Sequence, residues 1–285
     1  MISKNQQIKK IGIVGLGLIG GSIGKDLMSN GYIVVGFTRE SKNIKKSVEL
    51  GLVSRASSDY KIISDCDLIF LTQPIENLAN PNPQLISAIS PKAIVTDVGS
   101  VKKPIIDVWE ELNINFIGGH PMAGNNKKGI YSGTNNLFKN KPWIVTPTLN
   151  TNEESLSILK TIIKELGANY VESEAELHDK AVSKISHLPV FISSALLKTF
   201  MEVENLDIKI LAKKLISSGF LDTSRVGGGN PELGLMMAKY NKNNILKDIE
   251  RYQKNLEELK LSIKSKNWDL LEKTLSSTRD TRDNL

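Results

Sequence analysis

Ile11-Gly-Ile-Val14 is followed at once by Gly15-Leu-Gly-Leu-Ile-Gly20, and helical spacing then continues to about Asn30. A short buried strand, a GxGxxG turn and a helix, in that order, are typical of the phosphate-binding corner of a dinucleotide-binding sheet. The first glycine allows a tight turn, the second lets the backbone approach a pyrophosphate, and the third lets helix and strand pack closely. This stretch therefore predicts a Rossmann-like α/β domain that binds a dinucleotide.

A second predicted strand, residues 32–37, leads into Thr38 and Arg39, at the position that distinguishes the two nicotinamide cofactors. A carboxylate there would bind the ribose 2′-hydroxyl of NAD, whereas a hydroxyl followed by a guanidinium suits the 2′-phosphate of NADP. Glu40 argues against NADP, because a longer strand would bring its carboxylate to the ribose. On balance the sequence favours NADP over NAD.

Further β-rich runs at residues 67–72, 93–97, 115–118 and 143–146 predict more strands of an open α/β sheet. In such sheets ligands bind beyond the carboxyl ends of the strands, so the residues that follow each run are candidates for binding. The predicted cofactor-binding residues are Gly15, Leu16, Gly17, Leu18, Ile19, Gly20, Thr38, Arg39, Thr72, Gln73 and Pro74.

His120 stands in Gly118-Gly-His-Pro-Met-Ala-Gly124, in a loop expected after a strand end, where the nicotinamide would lie. An imidazole with the ordinary pKa of about 6.5 is mostly neutral at working pH and can take a proton. We therefore predict that His120 is the catalytic base of a dehydrogenase. Ser100 could hold this imidazole or the cofactor's carboxamide, or it could cap a helix that begins near Lys103.

The second half of the chain is predicted to be helical. Residues 175–204 have helical spacing with Pro189 as a kink, and residues 207–217 and 243–266 repeat the pattern. An apolar stripe on the last helix is typical of a core or subunit contact. Residues 217–232 are polar and glycine-rich, and we expect them to form a loop that faces the cleft between the domains.

Composition places the chain among soluble globular proteins. It has 285 residues, of which 40% are apolar and 24% charged, which is ordinary for two domains. The net charge of +6 comes mainly from scattered lysines, which favours a solvated surface over nucleic-acid binding. Cys66 is the single cysteine, so we expect no disulfide, no metal site and a reducing, cytoplasmic location.

Neither export nor membrane insertion is expected. Residues 1–21 contain lysines and then an apolar run, as a signal peptide does, but glycines interrupt the run and favour a strand and a turn. No apolar segment approaches the roughly 18 uninterrupted residues that a membrane-spanning helix needs.

Five motifs occur in a characteristic order: GLGLIGGS at residues 15–22, TDVGSVK at 96–102, GGHPMAG at 118–124, ISHLP at 185–189 and SSGFLDTSRVGGGNPELG at 217–234. With these motifs the sequence resembles the prephenate and arogenate dehydrogenases of tyrosine biosynthesis, most closely the arogenate-using, NADP-dependent branch. The resemblance implies a Rossmann-like domain, placed at residues 1–173, and an all-helical substrate and dimerisation domain, placed at residues 174–285. It also implies a homodimer.

The resemblance assigns roles to four residues. His120 matches the catalytic histidine, Ser100 its serine partner near the nicotinamide, and Arg225 the arginine that binds the substrate carboxylate. His187 resembles a second active-site histidine, although it could also be a satisfied core residue. Residues 125–128 differ where prephenate and arogenate users vary, which leaves the substrate side chain open. His178, with Glu174 and Glu176 nearby, is expected on a helix surface and receives no role.

The expected reaction is the oxidative decarboxylation of L-arogenate to L-tyrosine with hydride transfer to NADP⁺. Loss of a hydride leaves an electron-poor ring that expels carbon dioxide and becomes aromatic, so the protein needs a base, a hydride acceptor and a carboxylate clamp. The first alternative is prephenate as the substrate, which would give 4-hydroxyphenylpyruvate. Remoter alternatives are a β-hydroxyacid dehydrogenase, for which Lys184 would be the catalytic lysine, and a non-catalytic NADP-binding protein.

Overall fold

The computed structural model describes residues 8–124 and 129–285. These residues form two compact units. The first comprises the described chain up to Val182 together with Gly228–Tyr240, and the second comprises Ser183–Gly227 together with Asn241–Leu285.

The first unit is built on an eight-stranded sheet with the order β3-β2-β1-β4-β5-β6-β7-β8. Strands β1 to β6 pair in parallel, β7 is antiparallel to β6, and β8 is parallel to β7. The order of the first six strands is that of a dinucleotide-binding sheet, and this confirms the predicted Rossmann-like α/β fold. The strands are β1 (Lys10–Val14), β2 (Ile33–Phe37), β3 (Arg55–Ser57), β4 (Leu68–Leu71), β5 (Ile94–Asp97), β6 (Phe116–Pro121), β7 (Pro142–Thr146) and β8 (Asn169–Glu172).

Helices α1 to α7 and α11 belong to the first unit, and the remaining helices form the all-helical second unit. The helices are α1 (Leu18–Ser29), α2 (Lys42–Glu49), α3 (Ile75–Ala79), α4 (Pro83–Ala88), α5 (Lys103–Glu111), α6 (Glu153–Glu165), α7 (Ala175–Val182), α8 (Leu188–Met201), α9 (Leu206–Leu215), α10 (Ser218–Ser224), α11 (Pro231–Tyr240), α12 (Lys242–Lys264) and α13 (Trp268–Asp283).

Two apolar cores cover the two faces of the sheet. On one face, Ile11 and Ile13 of β1 belong to the cluster that contains Leu27 of α1 and Ile163 of α6. The other face carries a second cluster, in which residues of α3, α4 and α5 pack on β4 and β5. Because both faces are covered, the central strands are apolar on both sides, which is why they appear in the sequence as short continuous apolar runs.

Strand β6 is longer than the sequence predicts. The parallel partner β5 pairs only with Phe116 and Ile117, and this is the part that the apolar run indicates. The next four residues, Gly118 to Pro121, pair with the antiparallel strand β7, so His120 lies opposite Ile144 inside the sheet. The expectation that His120 lies in a loop after the strand end is therefore wrong, because an antiparallel partner extends the strand through the histidine.

A π-helical turn, Ser183–His187, joins α7 to α8. Pro189 follows it, and proline removes a backbone donor and crowds the carbonyl four residues earlier, which accounts for the wide turn. This agrees with the kink predicted at Pro189. Such π turns are frequent at functional sites.

The polar segment 217–232 is not the continuous loop that the composition predicts. Its first part forms α10, in which Phe220 packs on Phe200 of α8 with ring centroids 5.4 Å apart. The Gly227 N–H then donates to Ser193 Oγ at 2.8 Å. Packing of one aromatic residue against α8 thus orders a segment whose glycines and serines favour a loop.

No helix among residues 8–124 and 129–285 is both long and apolar enough to cross a membrane.

Gly24 of α1 tests how closely helix and backbone must approach in this fold. A Cβ atom at residue 24 would lie 1.9 Å from the Leu52 carbonyl oxygen, whereas a Cβ at Gly17 would meet nothing within 4 Å. Alanine normally stabilises a helix interior by about 1 kcal/mol relative to glycine. We expect Gly24→Ala instead to lower the free energy of unfolding by about 2 kcal/mol, because the clash is with backbone.

Urea unfolding of Gly24→Ala and Gly17→Ala beside the parent protein measures this difference. Equal unfolding midpoints for the two variants would contradict the close packing of α1 on residue 52.

Candidate active site

A buried ion pair holds the backbone next to His120. Asp97, the last residue of β5, accepts the Gly119 N–H at 3.0 Å through Oδ1 and the Gly99 N–H at 2.8 Å through Oδ2. The Lys102 ammonium pairs with the same carboxylate and donates to the Gly119 carbonyl oxygen at 2.7 Å. The residue before His120 is therefore hydrogen-bonded through both its N–H and its C=O.

This ion pair is completely buried, with both side chains at 0% exposure. Burial lowers the pKa of Lys102, and the adjacent Asp97 carboxylate opposes that shift. Removing one partner of a buried pair leaves an uncompensated charge and typically costs about 3–5 kcal/mol. Asp97 and Lys102 are thus bound to each other, and their contacts position β6 at the histidine.

A chain of short contacts connects His120 to α5 through α7. The Nδ1 atom of His120 lies 2.8 Å from Nε2 of His178, and the two rings meet edge to face at 77°. The Nδ1 atom of His178 lies 2.8 Å from Oδ1 of Asp179. The Asp179 carboxylate also accepts the Lys102 N–H at 2.7 Å and the Lys103 N–H at 2.9 Å, at the first turn of α5.

The expectation that His178 lies on the surface is wrong, because its exposed fraction is only 3%. Positions 175, 178, 179 and 182 follow the i, i+3, i+4, i+7 spacing of one helix face. Ala175 packs on an apolar core and Val182 is buried, so this spacing places His178 and Asp179 on the inward face. The flanking glutamates concealed that signal.

Ser100 lies in the loop between β5 and α5, and its Oγ is buried without a hydrogen-bond partner among the described residues. It therefore does not hold the His120 imidazole, a role that His178 fills instead. It does not cap α5 either, since Asp179 supplies the acceptor for the first N–H groups of that helix. A buried hydroxyl of this kind costs free energy unless a ligand or water satisfies it, which fits a place beside a bound cofactor.

The glycine turn after β1 has the shape that a pyrophosphate requires. Gly15 has φ +110°, a conformation that favours glycine, and a Cβ on Gly20 would lie 2.0 Å from the Gly15 carbonyl oxygen. The space beside Gly17 is open, and no side chain caps the first turn of α1. The residues present therefore fit a dinucleotide, whose phosphates would accept hydrogen bonds from the free N–H groups of this turn.

Two of the other predicted cofactor residues, Thr72 and Leu16, make contacts within the protein at or beside this turn. The Thr72 hydroxyl after β4 donates to the carbonyl oxygens of Val14 and Gly15. Leu16 is buried against Gly36. Half-buried or exposed positions are occupied by Leu18, Ile19, Gln73 and Pro74.

Strand β2 ends at the residue where the sequence predicts its end. The strand stops at Phe37, so Thr38 is the first residue beyond it and Arg39 is exposed. Glu40 stands further along the chain and is ion-paired with Lys42 at 3.1 Å, a contact that lowers the pKa of the Glu40 carboxyl. Within the described chain Arg39 forms no ion pair.

His187 and Arg225 belong to the second unit. His187 is fully buried at the end of the π turn, with Nδ1 3.1 Å from Nδ2 of Asn241. Arg225 follows α10 and is exposed. Residues 125–128, which bear on the choice of substrate, lie outside the described residues.

Lys184 is engaged in a structural contact, since its ammonium pairs with the buried Asp248 carboxylate, which also accepts a hydrogen bond from Ser183.

Burial raises the pKa of the Cys66 thiol to about 12, which leaves it without nucleophilic character near neutral pH. The part of the chain that the structure describes contains no group of three or more His, Cys, Asp or Glu residues placed to hold a metal ion.

Two family models match the chain. One, described as "Prephenate dehydrogenase, nucleotide-binding domain", matches residues 23–172, and the other, described as "Prephenate dehydrogenase, dimerization domain", matches residues 174–277. A curated relative, the prephenate dehydrogenase of Bacillus subtilis (strain 168), is 29% identical over 99% of this chain and 77% of its own length.

Solved structures of dehydrogenases with these names are similar to this chain over nearly its whole length. The crystal structure of Synechocystis arogenate dehydrogenase is 43% identical with a TM-score of 0.84, covering 96% of this chain and 99% of that one. The prephenate dehydrogenase from A. aeolicus, in complex with hydroxyphenyl propionate and NAD⁺, is 30% identical with a TM-score of 0.90, covering 98% and 99%. The chain therefore belongs to the prephenate and arogenate dehydrogenase family.

Proposed function

We propose that this protein catalyses the oxidative decarboxylation of L-arogenate to L-tyrosine with NADP⁺ as the hydride acceptor. The observation that carries the proposal is His120, which is fixed in β6 by the Asp97–Lys102 pair and hydrogen-bonded through Nδ1 to His178. A buried imidazole held in one orientation is suited to accept the proton of a ring hydroxyl.

Each candidate side chain has one task in this reaction. His120 takes the hydroxyl proton, and Arg225 binds the ring carboxylate through its planar fork of donors and so orients the substrate. Ser100 offers its buried, unpartnered hydroxyl to the cofactor, and His187 contributes a second imidazole for the substrate. The nicotinamide, when bound, accepts the hydride. Departure of carbon dioxide then leaves its bonding electron pair in the ring, which becomes aromatic as a phenolate, and the His120 imidazolium can return the proton to the ring oxygen.

The choice of NADP is supported at the end of β2. Arg39 is exposed, which leaves its guanidinium available for a 2′-phosphate, and Thr38, the first residue after β2, is not the carboxylate that typically binds the ribose of NAD. Glu40 is occupied by Lys42, which argues against its use as the ribose acceptor. The A. aeolicus relative was crystallised with NAD⁺, so family membership alone does not decide the cofactor.

The choice of arogenate is supported by the 43% identity with the Synechocystis arogenate dehydrogenase, against 30% with the A. aeolicus prephenate dehydrogenase. Prephenate is the second candidate, because the B. subtilis and A. aeolicus relatives carry that name. The two substrates share the ring and differ in an amino or keto group, so the proposed roles of His120 and Arg225 serve both.

We place the domain boundary after residue 173, between the two family matches, and propose a homodimer formed by the helical half. The name of the second family model supports this assembly. Helix α9 presents large apolar side chains that are 45–69% exposed in the single chain, namely Leu206, Ile208, Ile210, Leu211 and Leu215. A second copy would remove this surface from water.

The proposed function is tested on protein whose mass by light scattering we expect at twice the chain mass of 31.5 kDa. L-Arogenate and prephenate are each offered with NADP and with NAD, and the reduced cofactor is followed by near-ultraviolet absorbance. We expect the highest kcat/KM for arogenate with NADP. A preference for prephenate would overturn the substrate assignment, and no turnover with any pair would reduce the protein to a dinucleotide-binding one.

Arg39→Ala tests the cofactor assignment. Loss of a charge-assisted contact to the 2′-phosphate should raise the KM for NADP by roughly 10- to 100-fold while leaving the KM for NAD nearly unchanged. Glu40→Gln is the matched control, and its ratio of the two KM values should stay close to that of the parent protein. An NADP to NAD ratio that changes in the control and not in Arg39→Ala would show that Glu40 reads the ribose.

His120→Asn should lower mainly kcat, whereas Arg225→Ala should raise mainly the KM for substrate. Without the base, kcat should fall by roughly 10³-fold, with cofactor affinity intact. Without the clamp, the KM for substrate should rise by about 100-fold, and Arg282→Ala at the exposed end of α13 should change neither constant. Steady-state kinetics and fluorescence titration of NADPH measure both effects. A His120→Asn enzyme with the parental rate would end the assignment of the base.

A further inference from the structure

His178 and Asp179 do not contact the substrate in the proposed reaction, yet both are buried. His178 lies within hydrogen-bond distance of His120, and Asp179 lies within hydrogen-bond distance of His178. Neither residue carries a motif that marks it as functional in the sequence. Their geometry nevertheless fixes where protons lie on both imidazole rings.

The order of protons follows from Asp179. An ionised carboxylate only accepts hydrogen bonds, and this one already accepts the Lys102 and Lys103 N–H groups at the start of α5. The nitrogen of His178 that faces Asp179, Nδ1, must therefore carry a proton.

The same logic continues to the base. A neutral His178 with its proton on Nδ1 has a lone pair on Nε2, which is the atom 2.8 Å from His120 Nδ1. His120 must then donate from Nδ1, and its own lone pair lies on Nε2. Which ring nitrogen is protonated is thus set by the hydrogen bond that the other nitrogen makes.

We propose that His178 and Asp179 are positioning residues that hold His120 in the Nδ1–H form, so that Nε2 is the atom that accepts the substrate's proton. This inference rests on the proposed role of His120 as the base. An unconstrained imidazole in water favours the opposite form, with the proton on Nε2, in which that atom could not act as a base.

The arrangement also serves the charged state of the base. When the hydroxyl proton moves to Nε2, the Nδ1–H of His120 still donates to His178, and the positive ring lies across that imidazole from the Asp179 carboxylate. Water is excluded from the pair, since His178 and Asp179 are each 3% exposed. In such surroundings the carboxylate stabilises the imidazolium more than it would in solvent.

The direct test is the tautomer, read by two-bond ¹H–¹⁵N correlation spectra of protein labelled with ¹⁵N histidine. The chain has three histidines, so the spectrum contains three ring patterns, and single substitutions assign them. At a pH where the rings are neutral we expect His120 and His178 both in the Nδ1–H form. A His120 ring in the Nε2–H form would overturn the proposal.

Asp179→Ala should release the order of protons, because it removes the oxygen that accepts the His178 Nδ1–H and leaves both rings to the Nε2–H form that an imidazole favours in water. We expect both rings to change to the Nε2–H form and kcat to fall by roughly 100-fold or more, with the KM for cofactor little changed. The matched control is Asp67→Ala, which removes a carboxylate that likewise accepts two backbone N–H groups, those of Lys9 and Lys10, but no histidine N–H. Equal losses in the two variants would show that Asp179 serves only as a helix cap.

A pair of substitutions at residue 178 keeps the test decisive if Asp179→Ala fails to fold. In His178→Gln the amide oxygen can replace Nε2 as an acceptor for His120 Nδ1–H, whereas His178→Leu removes the acceptor. We expect kcat of the Gln variant to stay within about tenfold of the parent and that of the Leu variant to fall much further. Equal kcat values for the two variants would contradict the proposal.

The spectra separate this inference from the proposed function, since they are recorded without substrate. If no substrate and cofactor pair gave turnover while both rings were in the Nδ1–H form, the reaction would be refuted and the proton order would stand. Turnover by a protein whose His120 is in the Nε2–H form would refute the proton order and leave the reaction standing.

Discussion

The architecture around His120 depends on the buried ion pair between Asp97 and Lys102. Asp97 accepts the N–H of Gly119 and Lys102 donates to the Gly119 carbonyl oxygen, so opposite charges hold the two peptide units on either side of one residue. A charged pair removed from water is a poor source of stability but a strict source of geometry, because any displacement exposes an unsatisfied charge to an apolar interior. Gly119 is required there, since a Cβ would lie 2.7 Å from the Asp97 carbonyl oxygen.

Much of the fold could be predicted from local patterns, because parallel strands covered on both faces appear as short apolar runs between turns. The glycine turn was predictable for the same reason, as its spacing reflects backbone contacts within one strand and one helix. What could not be predicted depended on distant partners. The extension of β6 through His120 follows from β7, more than twenty residues further along the chain, and no pattern within residues 115–121 indicates it.

The active-site neighbours of His120 show the same limit. Ser100 and Arg225 stand in conspicuous motifs, yet it is His178 that contacts the imidazole, and Asp97 and Lys102 that bind the Gly119 backbone beside it. Lys102 looks like any basic residue before a helix, and its burial becomes visible only when its partner carboxylate is known. His178 could have been found from helix periodicity, because the face that carries Val182 also carries the histidine.

Helix α7 lies within the span of the family's dimerization model, residues 174–277, but it belongs to the compact unit that contains the nucleotide-binding sheet. Asp179, whose carboxylate caps the first turn of α5, and His178, which contacts the base, therefore lie beyond the boundary between the two family models at residue 173. Exchange of whole modules between relatives at that boundary would join one protein's histidine to another's support. A crossover at residue 173 would therefore separate the proposed base from the helix that holds it, whereas a crossover after α7 would keep the two together.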